Sequence, residues 1–133
     1  FIEMATGILT YKGKILIQKR KTKGVWANLW EFPGGRLEPG ETPEMALVRE
    51  YAEETELQIG KVKRITTVQH SYTIYRVTLH CYFCSLMDGR FEPVLHAAQE
   101  YRLVNPEELC NYAFPAGHRK LIDHLKNSGL LFL

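Results

Sequence analysis

Gly34–Leu57, GGRLEPGETPEMALVREYAEETEL, is the stretch that decides the fold of this chain. Thr42 is a good N-cap, Pro43 suits the first helical position, and no Gly or Pro follows before Glu56. We therefore predict a helix of roughly 14 residues from Pro43 to about Glu56. The side chains that we expect to pack inward from this helix are Met45, Val48 and Ala52.

Three carboxylates share one face of the predicted helix, because Glu50, Glu53 and Glu54 are spaced i, i+3 and i+4. Just upstream, the Gly34-Gly35 pair lets the backbone approach a ligand closely and expose a carbonyl oxygen. Carboxylates and a carbonyl together make a hard oxygen site that suits Mg²⁺ or Mn²⁺, and Mg²⁺ commonly works with phosphates. The alternative interpretation is a solvated, charged helix face.

The stretch resembles the Nudix box, G-x5-E-x7-R-E-U-x-E-E-x-G-U, in which U is a bulky aliphatic residue. The positions that fall in register are Gly35, Glu41, Arg49, Glu50, Glu53, Glu54 and Leu57. Tyr51 replaces an aliphatic residue, and Glu56 replaces the final glycine, which normally takes the left-handed conformation at a helix end. All the acidic positions of the motif are present, so the match is a specific one.

The rest of the chain alternates between strands and helices. We predict strands at 2–11, 14–20, 63–72, 75–86 and 100–104, and a hairpin turn at Asp88-Gly89. A closing helix is predicted from Pro115 to about Lys126, with Leu121, Ile122 and Leu125 facing inward. This alternation favours a mixed sheet covered on both faces. The Nudix resemblance covers essentially the whole chain and implies an α+β protein, an α/β/α sandwich with a central mixed β-sheet, as a single domain over residues 1–133.

Two segments resemble the MutT branch of the family: Gly24–Phe32 followed by Pro-Gly-Gly, and Phe114–Lys120, FPAGHRK. They are also similar to the C-terminal domain of the adenine glycosylase MutY, as is His70–Leu79. Both branches act on 8-oxoguanine, one as the free nucleotide and one in DNA. In the MutT branch an Asn near the closing helix contacts the oxidised guanine. We align that position with Gly117, and His118 is a candidate to replace the missing contact.

The resemblance implies a site built around Mg²⁺, with Mn²⁺ as an alternative. The residues expected to hold the metal are Gly34, Glu50, Glu53 and Glu54. The general base that takes the proton of the attacking water is Glu50, Glu53 or Glu100, and the sequence leaves this choice open. The structural positions of the box are Gly35, Glu41 and Arg49, of which the last two are expected to form an ion pair.

Side chains outside the box are candidates for binding the substrate. Arg20 ends a predicted strand and would neutralise substrate phosphates as part of a cationic rim, unless it belongs to a solubilising edge. Trp26 is a candidate to stack on a nucleobase. The residues expected to line the base pocket, with plain core packing as the alternative, are Phe32, Tyr72 and Phe114.

Composition places the chain among ordinary globular proteins, with 133 residues, 45% hydrophobic and 24% charged. The net charge of +2 fits an anionic substrate, whereas so low a basic excess does not favour a nucleic-acid partner. No apolar run reaches the ~18 residues of a membrane span, so no membrane association is expected. Cys81 and Cys84 point to opposite faces if they lie on a strand, and with Cys110 they are expected to be reduced thiols of a cytoplasmic protein.

The leading functional expectation is a Mg²⁺-dependent nucleoside triphosphate pyrophosphohydrolase, acting as a monomer or homodimer on 8-oxo-dGTP or related (d)NTPs. The first alternative keeps the chemistry and changes the substrate, for instance to CTP. The second is a non-catalytic domain that recognises 8-oxoguanine in DNA, like the C-terminal domain of MutY. Such binding domains usually lack the complete set of acids, which this chain retains.

Overall fold

The computed structural model describes residues 1–24 and 26–130. The strands of this part of the chain are β1 (Ile2–Tyr11), β2 (Lys14–Arg20), β3 (Trp30–Glu31), β4 (Gly34–Arg36), β5 (Ile59–Ser71), β6 (Arg76–Leu86) and β7 (Ala98–Val104). The helices are α1 (Pro43–Thr55) and α2 (Ala116–Ser128), and a short 3₁₀ helix, Pro106–Asn111, follows β7. None of the helices in the described part is long and apolar enough to cross a membrane.

The strands form one open, mixed sheet. Its order is β3-β2-β1-β6-β5, with β4 also paired to β1 and β7 also paired to β2. β1 runs parallel to β6 and antiparallel to β2 and β4, so the predicted α+β class with a central mixed sheet is confirmed. The pairing of β1 with β4 brings the glycine pair that precedes the acidic helix against the centre of the sheet.

Each face of the sheet carries one helix and one apolar core. Side chains of α2 pack on one face, where Leu121, Ile122 and Leu125 are fully buried as predicted. Side chains of α1 pack on the other face. The alternation along β2 supplies both cores, because Ile15 and Ile17 face α2 while Leu16 faces α1.

The predicted inward face of α1 was wrong. Met45 and Val48 are 55% and 37% exposed and Ala52 is half-buried, whereas Ala46, Leu47 and Tyr51 are fully buried. The reason is the large side chain of Tyr51, which crosses the core and donates a hydrogen bond from its hydroxyl to the Gly7 carbonyl at 2.6 Å. This anchor orients the helix so that Tyr51 faces the sheet together with Ala46 and Leu47.

The end of α1 accommodates a glutamate where the Nudix box has glycine. Glu56 has φ 58° and ψ 13°, the left-handed conformation, and its N–H donates to the Ala52 carbonyl at 3.0 Å. The Glu56 carboxylate also contacts the His96 ring, with 2.6 Å between Oε2 and Nε2. The helix therefore ends at Thr55, close to the predicted residue, without the glycine.

The hairpin predicted at Asp88-Gly89 was wrong. The strand that follows this turn, β7, pairs with β2 and not with β6. The hairpin lies instead between β5 and β6, where the Tyr72 N–H donates to the Tyr75 carbonyl at 2.8 Å. Asp88 makes only a local turn, in which its carboxylate accepts the Arg90 N–H at 3.0 Å.

All three cysteines lie in the described part of the chain and are free thiols. Cys81 is buried in the core under α2, and Cys84 is buried in the core under α1, so the two point to opposite faces as expected. Cys110 is exposed on the 3₁₀ helix.

Candidate functional site

The glycine pair of β4 lies against the acidic helix without room for side chains. A Cβ on Gly34 would stand 2.1 Å from the carbonyl oxygen of Ala5 on β1. A Cβ on Gly35 would stand 2.5 Å from the Glu50 carboxylate. The two glycines thus let β4 pack closely against β1 on one side and the Glu50 carboxylate on the other.

Arg49 joins the loop before α1 to the helix. Its Nε and Nη2 donate to the two carboxylate oxygens of Glu41, at 2.7 and 2.9 Å, and Nη2 also donates to the Arg36 carbonyl at 2.9 Å. The hydrogen bonds from Arg49, with that from the Glu38 N–H, lower the pKa of Glu41 to about 2. The predicted structural pair is therefore present, in the bidentate form that fixes orientation best.

The same guanidinium reaches two acids of the helix. Arg49 Nη1 donates to Glu50 at 2.8 Å and to Glu53 at 3.1 Å. The Glu50 side chain is only 16% exposed, whereas that of Glu53 is 57% exposed. A positive charge thus lies between the two carboxylates and offsets their repulsion.

Glu54 turns away from Arg49 and into the protein, where it is 9% exposed. Its Oε1 accepts a hydrogen bond from Gln18 Nε2 at 2.9 Å, and its Oε2 accepts one from the Gly34 N–H at 3.3 Å. Burial raises the pKa of Glu54 well above its usual range, and a hydrogen bond with Glu50 and the charge of Glu31 raise it further. Glu54 is the acid most tightly enclosed by the loop and the sheet.

Gln18 and Glu31 complete this acidic cluster and were not predicted. Gln18 is fully buried on β2, and its Nε2 also donates to Glu31 on β3 at 3.0 Å. Burial raises the pKa of Glu31, although Arg20, at 2.8 Å, opposes the shift. A signal for Gln18 was available, because it shares a face of the strand with the buried Leu16.

A cavity with apolar and aromatic walls adjoins the acidic cluster. It is lined by Met4, Ala5, Thr6, Arg20, Trp26, Glu31, Phe32, Gly34, Gly35, Val68, His70, Tyr72, Val77, Leu79, Pro115, Gly117 and His118. Both glycines of β4 and the Glu31 side chain therefore belong to the boundary between the acids and the cavity. A concave apolar pocket with a few polar groups at one end is typical of a small-molecule site.

Most residues predicted to bind the substrate line this cavity, namely Arg20, Phe32, Tyr72 and Gly117. Phe114 does not line it, and stacks behind Phe32 with 5.2 Å between the ring centres. Trp26 lies against Tyr72, with ring centres 5.1 Å apart, and the Arg20 guanidinium lies 5.8 Å from the Trp26 ring centre. The structure thus gathers aromatic rings and a cation at the cavity.

His118 lines the cavity in a defined orientation. Its ring stacks on Phe32 at an interplanar angle of 10°, and its Nδ1 accepts the Phe32 N–H at 3.2 Å. Burial and the charge of Arg20 lower the pKa of His118 to about 4. The ring is therefore neutral near pH 7, with its proton on Nε2.

Glu100 lies apart from the acidic cluster. It pairs with Lys19 in the β2–β7 register, whereas Gln18 pairs with Tyr101, so Glu100 and Gln18 point to opposite faces of the sheet. The Glu100 carboxylate is 3.9 Å from Lys19 Nζ and 3.6 Å from Arg102 Nε. The structure does not bring Glu100 together with the acids of α1.

The chemistry of the acidic cluster fits a divalent cation. Among the described residues no three His, Cys, Asp or Glu side chains converge as a preformed metal site. The carboxylates are nevertheless close together, since Gln18 contacts both Glu54 and Glu31 and Arg49 contacts both Glu50 and Glu53. Oxygen donors on one helix face, with an excess of negative charge, are a suitable donor set for Mg²⁺ or Mn²⁺.

Comparison with known proteins identifies the family. The family model described as "NUDIX domain" matches residues 5–124. An 8-oxo-dGTP diphosphatase of Haemophilus influenzae is 32% identical over 95% of this chain and 92% of its own length. A CTP pyrophosphohydrolase of Escherichia coli is 32% identical over 84% of this chain and 81% of its own length. The crystal structure of a MutT protein from Methanosarcina mazei has the same fold, with a TM-score of 0.82, 21% identity, and coverage of 96% of this chain and 94% of that one. The chain therefore belongs to the Nudix family, as a hydrolase of the MutT-like branch.

Proposed function

We propose that this Nudix hydrolase, an enzyme that acts on phosphoric anhydride bonds, is a Mg²⁺-dependent nucleoside triphosphate pyrophosphohydrolase. The proposed substrates are 8-oxo-dGTP or related (d)NTPs, and the products are the monophosphate and pyrophosphate. The observation that carries the proposal is the contact between the two halves of the site: Gly34, Gly35 and Glu31 bound the aromatic cavity and adjoin the acids of α1. A nucleobase bound in the cavity would thus place the phosphates of the same nucleotide beside the acids of α1.

The proposed metal ligands are the Gly34 carbonyl and the carboxylates of Glu50, Glu53 and Glu54, with Mn²⁺ as a possible substitute for Mg²⁺. A bound divalent ion would offset the negative charge of the phosphates and lower the pKa of a bound water. Arg49 and Glu41 would hold the helix acids in place through the loop.

The proton of the attacking water would pass to a carboxylate. Glu50 and Glu53 are the candidates that the structure favours, because both lie on the face of α1 that carries Arg49. Glu100 remains a third candidate from the sequence, but its pairs with Lys19 and Arg102 argue for a structural role. Placing the base on α1 keeps it beside the proposed metal ligands.

The cavity would take the nucleobase. Phe32 and Tyr72 offer aromatic surfaces, Gly117 leaves space beside Tyr72, and Phe114 supports Phe32 from behind. Arg20 would neutralise a phosphate beside the cavity. With Nδ1 engaged by Phe32, His118 can offer only its Nε2–H, so it would pair with an acceptor such as a base carbonyl.

A second candidate is hydrolysis of CTP, favoured by the likeness to the E. coli CTP pyrophosphohydrolase. Cytosine also carries a carbonyl acceptor, so the same cavity chemistry would serve. A DNA-recognition domain is a weaker candidate, since the complete acid set is retained. A role in clearing the nucleotide pool would place the enzyme, as a monomer or homodimer, in the cytoplasm.

The test is a product assay on a panel of 8-oxo-dGTP, dGTP, dCTP and CTP with Mg²⁺. Monophosphate and pyrophosphate, formed in equal amounts and lost in EDTA and in Glu53→Gln, are the expected result. The ranking of kcat/KM would then name the substrate. Absence of turnover on every nucleotide, by a chain that binds duplex DNA carrying 8-oxoguanine, would refute the proposal.

A further inference from the structure

One side chain outside the Nudix box holds two acids of the site. Gln18 is fully buried on β2, and its amide nitrogen donates to Glu54 on α1 at 2.9 Å and to Glu31 on β3 at 3.0 Å. An amide nitrogen carries two hydrogens, so it can serve both carboxylates at once. The neutral amide of Gln18 thus links β2 to both α1 and β3.

The orientation of Glu54 depends on this donor. Its second oxygen accepts the Gly34 N–H at 3.3 Å, so each of its two oxygens has a partner from the sheet. Glu50 and Glu31 lie nearby, and their charges disfavour the ionised form of Glu54. Without Gln18, Glu54 would keep the Gly34 N–H and its hydrogen bond with Glu50 among the described contacts, but it would lose the donor that it shares with Glu31.

The amide of Gln18 is committed to the acids at a cost. Its Oε1 is buried and accepts no hydrogen bond within the described part of the chain. Turning the amide over would satisfy neither carboxylate, because it would point the oxygen at both of them. A buried acceptor without a donor is unfavourable, and such exceptions are often found beside functional groups. The arrangement therefore gives both carboxylates a donor and leaves the amide oxygen of Gln18 without one in the described part of the chain.

We propose that Gln18 is a positioning residue, which holds Glu54 beside Glu31 in the orientation required for divalent-cation binding. This inference rests on the proposed function, because it concerns the same site. Gln18 touches neither the substrate nor the metal and acts only through the two carboxylates. Outer partners of this kind typically change metal affinity or activity by about 10–100-fold when they are removed.

The test uses Gln18→Met, which keeps the shape of the side chain and removes the amide. The matched control is Leu16→Met, a change on the same strand and the same buried face, within the apolar core under α1. Mn²⁺ affinity is measured on each protein without nucleotide, by electron paramagnetic resonance of the free ion. We expect affinity about 10–100-fold weaker in Q18M, and within twofold of wild type in L16M. With nucleotide, kcat of Q18M should fall at saturating Mg²⁺ while KM for the nucleotide stays within about threefold.

A merely structural role would lower the thermal midpoint of Q18M and leave the Mn²⁺ affinity of the folded protein unchanged. Unchanged affinity in Q18M would overturn the proposal. Gln18→Leu removes the amide with a different shape, so the test does not depend on one variant folding. A wild-type chain that binds Mn²⁺ but hydrolyses no nucleotide would refute the proposed function, and the affinity comparison would still decide the role of Gln18.

Discussion

Arg49 and Glu41 form a two-point ion pair across the loop that precedes α1, with 2.7 Å from Nε to Oε2 and 2.9 Å from Nη2 to Oε1. The pair ties the helix to the segment that begins at the glycines. Because the same guanidinium touches Glu50 and Glu53, the geometry of the loop and the geometry of the acids are linked.

Replacing Arg49 with Lys should lower kcat by about 10–100-fold. A lysine keeps the charge but cannot make the planar fork that holds Glu41 while reaching the helix acids. The measurement is steady-state hydrolysis of the best nucleotide at saturating Mg²⁺. Arg36→Lys is the control, because Arg36 contacts Arg49 through its backbone carbonyl, which the substitution retains. Wild-type kcat in R49K would show that the fork is dispensable.

The low pKa of Glu41 predicts a loss of stability in acid. The folded pKa is about 2, below the ordinary value of about 4.3, so the ion pair stabilises the fold above about pH 4. This contribution is lost as the pH falls toward 2. Urea midpoints of wild type and Glu41→Gln should therefore differ most at pH 5 and converge near pH 2. A difference that stays constant between pH 5 and pH 2, or that matches the exposed control Glu107→Gln, would contradict this linkage.

Changing each of the two glycines of β4 to Ala should have a different effect, on stability for Gly34 and on kcat for Gly35. Gly34→Ala places a Cβ against the Ala5 backbone, which cannot yield, so the free energy of unfolding should fall by about 1–3 kcal/mol. Gly35→Ala displaces the Glu50 carboxylate, a flexible group, so kcat should fall by about 10²-fold with a smaller stability change. Thermal unfolding and kinetics on both variants separate the effects. Gly117→Ala, where a Cβ would meet ordinary contacts at 3.7 Å, is the stability control.

Changing Glu50, Glu53 and Glu54 singly to Gln should each reduce kcat, by about 10²–10⁴-fold for the residue that acts as the general base. Glu44→Gln, in the first turn of the same helix, should stay near wild type. Glu100→Gln should also stay near wild type, since Glu100 faces away from the acids. Undiminished hydrolysis in all three box variants would refute the mechanism. A loss of about 10²-fold or more in kcat of E100Q would identify Glu100, on β7, as the general base.

His118 should influence which nucleobase the enzyme prefers in its substrate. Its Nδ1 is held by the Phe32 N–H, so only a donor faces any ligand. His118→Phe keeps the stacking on Phe32 and removes that donor, and we expect the ratio of kcat/KM between 8-oxo-dGTP and the other nucleotides to change by about tenfold. Because the pKa of His118 is about 4, the wild-type ratio should stay constant from pH 6 to 9. An unchanged ratio in H118F would exclude the contact.

The spacing of residues along the chain predicted the acids of α1 and the inward face of α2. The features that it missed depend on contacts between residues far apart in the sequence. The acids of α1 and the inward residues of α2 follow from helical periodicity, which acts over a few residues. Gln18 and Glu31 meet only because β2 pairs with β3, and no local pattern encodes that pairing. The orientation of α1 was missed for a similar reason, since it depends on the hydrogen bond between Tyr51 and the backbone of β1.

The distribution of the three thiols makes the protein convenient for spectroscopy. Cys81 and Cys84 are enclosed in different cores, where burial raises the pKa of each thiol to about 12, so a maleimide at neutral pH should react with Cys110 alone. A fluorophore or spin label can therefore be attached at one known position of the natural sequence, without engineering a cysteine.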